Sequence, residues 1–174
     1  MSTVDPAHFA QAHARQQALT DAEWLLRCDE LAQSQPVLFM ELLTFGRDGA
    51  APAQTRALVD YLSTMQFVAA GVSVSASAPV GMEEFRAAIQ RTGHLFHAIN
   101  TDDRRHFERM IRAWHEGLVQ RSEPVVWAGC VETLKQHGIL SAPLMKDMVV
   151  TLCAIADVFS RRLIDNTPSR PGAA

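Results

Sequence analysis

Apolar residues recur at intervals of three and four along most of the chain, the spacing that gathers them on one face of a helix. Leu58, Tyr61, Leu62, Met65, Val68, Ala69 and Val72 form one such stripe, and Phe85, Ala88, Ile89, Thr92, Phe96 and Ile99 a second. A third runs Phe107, Met110, Ile111, Trp114 and Leu118. Nothing alternates convincingly with a period of two; the stretch Gly71 to Pro79 holds only two alternating valines among small residues, so it predicts a loop joining two halves.

Punctuation divides these stripes into segments. Pro6 fits the first turn of a helix from Asp5 to Ala18, whose thin apolar face predicts a loosely docked arm. Thr20 and Glu23 spell a capping box ahead of Trp24, Leu25, Cys28 and Leu31. Gln35-Pro36 opens a helix through Leu38, Leu42 and Phe45 that stops at Gly46 or Gly49, and Ala51-Pro52 opens the next. Beyond the loop, a helix over 83–100 gives way at the N-cap Thr101-Asp102-Asp103 to another. Glu123-Pro124 starts a segment ending at His137-Gly138. The last helix runs from about Ser141-Ala-Pro143 to Ile164; apolar on most of its circumference, it is expected to be central.

The pattern predicts an all-α bundle of six to eight helices, a single domain over 1–166, with 167–174 as a frayed tail. Ser34-Gln-Pro-Val-Leu-Phe39 resembles Ser122-Glu-Pro-Val-Val-Trp127, and each leads through a glycine stop and a short turn into a long helix. Two pseudo-symmetric three-helix units, 20–76 and 104–164, would follow. Proline at the start and glycine at the end are common helix punctuation, so chance likeness is the preferred explanation.

Composition narrows the class. The chain has 174 residues, 48% hydrophobic and 20% charged, with a net charge of −3, enough to bury roughly 70% of its unfolded surface without a disulfide or metal. The absence of a basic excess argues against nucleic-acid or membrane-surface binding. The N-terminal stretch lacks the apolar run of a secretory leader, and Asp157 interrupts the most apolar run, Met148 to Ala156, at about half a membrane span. Cys28, Cys130 and Cys153 sit in apolar helical patterns and read as small buried hydrophobes. A cytoplasmic location is expected, and the preponderance of arginine over lysine fits a bacterial composition.

Candidate chemistry is sparse. His94 and His97, three apart on a polar face, could share a metal with His106 folding back across a turn. No HExxH, ExxH or CxxC pattern supports a site, and an exposed polar face is the simpler reading. His8 and His13 read as solvated. Arg105, Arg109 and Arg112 line one side of a helix and could meet phosphate or an acidic partner; a solvated face balanced by nearby acids is again simpler. No nucleophile elbow, P-loop or dinucleotide fingerprint is present.

Phe67 projects away from its helix's buried stripe, and Phe39 lies off the Leu38–Leu42–Phe45 line, so both are expected at a contact surface. The leading expectation is a non-enzymatic module that needs no cofactor and binds protein through helix faces. Phe39, Phe67 and the three arginines are its candidate contacts, and homodimerisation is the simplest use of such a surface. The alternatives are a metal-dependent enzyme or sensor built on His94, His97 and His106, and a bundle holding a small apolar ligand between helices.

Overall fold

The structure is a computed structural model, which describes residues 4–93 and 123–166. Among these residues it contains seven α-helices, one short 3₁₀ turn and no strand, so the predicted helical bundle is what forms. In chain order the helices are α1 (Pro6–Gln17), α2 (Asp21–Ser34), α3 (Pro36–Arg47), α4 (Pro52–Val72), α5 (Met82–Gly93), α6 (Pro124–Lys135) and α7 (Met145–Asp165). The 3₁₀ turn, Ile139–Ser141, lies between α6 and α7.

The boundaries follow the local chemistry. Asp5 caps α1 by accepting from the Ala7 amide at 3.0 Å, and Pro6 occupies the first turn, where its missing N–H costs nothing. Thr20 and Glu23 form the reciprocal capping box of α2, the Thr20 amide donating to Glu23 Oε2 at 2.8 Å. α6 ends at Lys135; His137 and Gly138 follow at φ 53° and 70°, a left-handed turn that glycine enters without a side-chain penalty. Pro143 is not the start of α7, which begins two residues later at Met145.

Two 21-residue helices, α4 and α7, pack together at the centre. The others cover them: α1, α3 and α6 lie against α4, and α5 and α6 against α7. α7 is central, as its apolar circumference requires; every residue from Thr151 to Ala156 is buried. α4 is more deeply buried than its stripe predicts, because Ala57 to Met65 is buried without interruption, including Asp60, Ser63 and Thr64. The cause is α1. It is no loose arm: Phe9 is 5% exposed and Ala12 is 3% exposed, and together they close the polar side of α4.

Gly129 of α6 makes that docking feasible, since a Cβ there would overlap the Phe9 ring. Gln16 of α1 accepts from Ser63 Oγ at 2.9 Å and His13 of α1 meets the Thr64 hydroxyl, so these two buried polar residues of α4 are paired with the helix that covers them. The Tyr61 hydroxyl donates to the Val126 carbonyl at 3.0 Å and ties α4 to the first turn of α6; complete burial holds its ionisation well above the usual range.

The serine-rich connection after α4 is anchored at its centre. Gln35 is fully buried; its Nε2 donates to the Ser77 and Ala78 carbonyls and to Gln66, and its Oε1 accepts from the Val80 amide at 2.9 Å. Ala76 and Val80 are buried beneath it. Arg162 of α7 reaches the same loop, donating to the Ala78 and Pro79 carbonyls while its fork engages Glu84 of α5 at 2.8 and 2.6 Å. Asp157, the residue that interrupts the apolar run, accepts from Arg91 at 2.9 and 2.6 Å and from Arg161 at 3.2 Å. Two ion-pair clamps thus hold α5 along α7.

Of the suspected duplication, α3 and α6 are both 12 residues long and both start at proline, and α4 and α7 are both 21. The segment 104–122, which would hold the second unit's first helix, lies outside the described residues. No described helix is long and apolar enough to cross a membrane.

Candidate functional site

Among the described residues, two surface grooves border α4, one beside each half of its length. The first is an open cleft of about 500 Å³ formed by Gln17 at the end of α1, by Ala53, Arg56, Ala57 and Asp60 on successive turns of α4, and by Gln136 and His137 after α6. Gln17 Nε2 donates to Gln136 Oε1 at 3.0 Å across it, and Gln54 Nε2 donates to the His137 carbonyl at 3.2 Å.

Asp60 is the chemically distinctive residue of this cleft. It is 5% exposed, and its Oδ1 accepts from the Trp24 indole N–H at 2.9 Å. Among the described residues it forms no ion pair. Arg56 lies one turn away, but its guanidinium is committed elsewhere. Nη1 donates to Asp21 at 2.8 Å, Nη2 donates to the Leu19 carbonyl at 2.6 Å, and its face lies over the Trp24 ring at 5.4 Å. Burial therefore wins over compensation: the Asp60 carboxyl is pushed up to about 6, against the lesser opposing pull of the Trp24 hydrogen bond and of Arg56 and His137. Its neighbour Cys28 is moved to about 11 by burial and by Asp60, so it is an unreactive thiol.

On the same flank of α4, His13 of α1 is half-buried rather than solvated. Thr64 donates its hydroxyl proton to the Asp60 carbonyl at 2.8 Å, so its oxygen accepts from His13 Nδ1 at 3.0 Å. That fixes the tautomer and leaves Nε2 as a bare, buried acceptor. Burial lowers the His13 pKa and keeps the ring neutral, with Glu132 opposing.

The second groove, about 260 Å³, runs between α2 and α4 and is lined by Arg27, Glu30, Leu31, Ser34, Gln66 and Phe67, among others. Phe67 stands at its edge, 42% exposed, with the exposed His8 ring stacked on it at 5.9 Å and 18°. Leu25 and Leu26 extend apolar surface along the outer side of α2, at 61% and 66% exposure. Leu25 therefore does not join Trp24 and Leu31 on the inner face.

Phe39 is a correction to the sequence reading. It is 6% exposed and part of the core, because α3 is held between α2, α4 and α7 and so buries more than one stripe. Met40, one residue on, takes the outward position at 60% exposure. His94, His97, His106, Arg105, Arg109 and Arg112 all lie outside the described residues. Among the described residues no group of three or more His, Cys, Asp or Glu side chains is placed to hold a metal. Trp127, Met65 and Met148 are fully buried in the core and line neither groove.

The sequence reading passed over Asp60. Its one signal was a carboxylate inside the apolar run Ala57 to Met65, where an acid is expected only with a partner or a purpose. The chain matches no family model, and no curated protein or solved structure matches it either.

Proposed function

We propose that this chain is a non-enzymatic binding module, a cytoplasmic bacterial adaptor, inhibitor or assembly subunit that engages protein through the α2–α4 face. The observation that carries the reading is Phe67: a large aromatic ring left 42% exposed at the lip of a groove whose floor includes Leu31. Rings of this kind, seated beside a pocket, supply a large share of binding energy at protein interfaces. Arg27 and Glu30 on the groove wall give it a polar rim, and Leu26, one turn before Glu30, adds exposed apolar area on the same side of α2. Among the described residues the cysteines are poor nucleophiles: Cys130 and Cys153 are buried, and Cys28, beside Asp60, is held as a thiol.

A second copy of the chain is the simplest partner. The test is sedimentation equilibrium together with quantitative co-purification for the native chain, for Phe67→Glu, and for Val74→Glu as a control at a loop position 88% exposed. Phe67→Glu is expected to weaken self-association or partner recovery at least tenfold while Val74→Glu leaves both unchanged. Equal behaviour of Phe67→Glu and the native chain would remove the reading.

A further inference from the structure

We propose that the cleft over Asp60 is a binding site for a small monoamine: a primary ammonium group carried on an uncharged, hydrogen-bonding body. The argument does not rest on the Phe67 face. Asp60 lies at the floor of the cleft, and among the described residues its charge is matched by no ion pair. Its donor is one neutral indole N–H, while the nearest cation, Arg56, spends its hydrogen bonds on Asp21 and on the Leu19 carbonyl. Taking an ionised carboxylate out of water without a partner is costly, and a ligand that brings an ammonium to the second oxygen offsets that cost at once.

The walls narrow the class further. Gln17 and Gln136 bond to each other through one amide pair, leaving a carbonyl on Gln17 and an N–H₂ on Gln136 to meet hydroxyl or amide groups of the ligand. Arg56 also lines the cleft and disfavours a second positive charge, so a monoamine fits better than a diamine. A cleft of about 500 Å³ is the size of a small-molecule site. Amino sugars and amino-acid amides share the required chemistry.

Binding should couple to the protonation of Asp60. The groups that face this carboxyl are Trp24 and Cys28 from α2, Arg56 on α4 itself and His137 after α6. Because the carboxyl titrates near 6, an ammonium ligand must displace its proton at lower pH. Apparent affinity is then expected to fall about tenfold between pH 7.5 and pH 5.

The experiment follows the indole N–H resonance of Trp24 by ¹⁵N-resolved NMR on the full chain, titrated with glucosamine and with leucinamide. Glucose, N-acetylglucosamine and acetate serve as uncharged or oppositely charged counterparts, and putrescine as the diamine. The expected result is a saturable shift of that resonance with at least one of the monoamines. It should weaken about tenfold at pH 5 and be lost in Asp60→Asn, whose remaining oxygen keeps the indole resonance in its hydrogen-bonded position. Shifts from glucosamine with none from leucinamide would assign an amino sugar, and the reverse an amino-acid amide. The proposal is overturned by no shift with either monoamine at millimolar concentration. Equal binding of glucose or acetate, tighter binding of putrescine than of both monoamines, or full binding by Asp60→Asn would overturn it equally.

Discussion

Asp60 lies on α4 and His13 on α1, where it meets Thr64 one turn further along α4, and burial shifts both toward their neutral forms. The signs of their contributions differ. Asp60 binds its proton more tightly folded than unfolded, so its contribution to stability is complete below its ordinary value of 3.8 and is lost as pH rises through about 6. His13 binds its proton less tightly when folded, so its contribution is complete above 6.5 and is lost as pH falls below it. Asp60→Asn keeps an oxygen for Trp24 and removes the buried charge. We expect it to raise stability at pH 8 by about 2 kcal/mol, a conversion discounted for the carboxyl's access to the cleft, and to change it little at pH 3.5. Urea denaturation at the two pH values checks this, and equal effects at both would mean that desolvation does not dominate at this carboxyl.

Between elements, side chains rather than backbone fix how helices and connections meet. The loop after α4 has few large apolar groups of its own, yet Gln35 satisfies two of its carbonyls and one of its amides from the start of α3. Gln35→Ala strands those groups in a buried position. A loss of about 2 kcal/mol is expected, with faster amide hydrogen exchange centred on Val80, while amides in the middle of α7 exchange as before relative to global stability. Exchange that changed uniformly over the chain would show that the loop is not anchored by this residue. None of this was legible beforehand. A glutamine before Pro36 reads as an ordinary helix start, and the loop groups it satisfies lie more than forty residues away in sequence.

On the scale of the molecule, two buried helices are covered by the five other described helices, and α1 belongs to that cover rather than to the solvent. Its docking depends on a notch in α6 at Gly129, where the Phe9 ring takes the space of a side chain. Gly129→Ala would improve the local helix propensity and yet is expected to destabilise by roughly 1–3 kcal/mol, since overpacking outweighs propensity. Adding Phe9→Leu should cost less than the two separate effects combined, because the smaller side chain relieves the collision. Thermal or urea unfolding of the two single variants and the double variant completes the cycle, and strict additivity would place Phe9 and Gly129 out of contact.

The sequence by itself determined the class of fold and most boundaries of the described helices, because capping residues, prolines and the three-four spacing act within a few residues of one another and need no knowledge of the rest of the chain. It also marked Phe67 as outward-facing, since the stripe on α4 is long enough to define its own direction. Only the tertiary structure decided which helices acquire a second buried face: Phe39 is inside because α3 is held between three neighbours, and Ser63 and Thr64 are inside because α1 lies over them. The candidate site belongs to the same category. Asp60, Trp24, Gln17 and His137 come from four separate stretches of chain, and a carboxylate becomes chemically unusual only when packing removes its water and places its nearest cation against other partners.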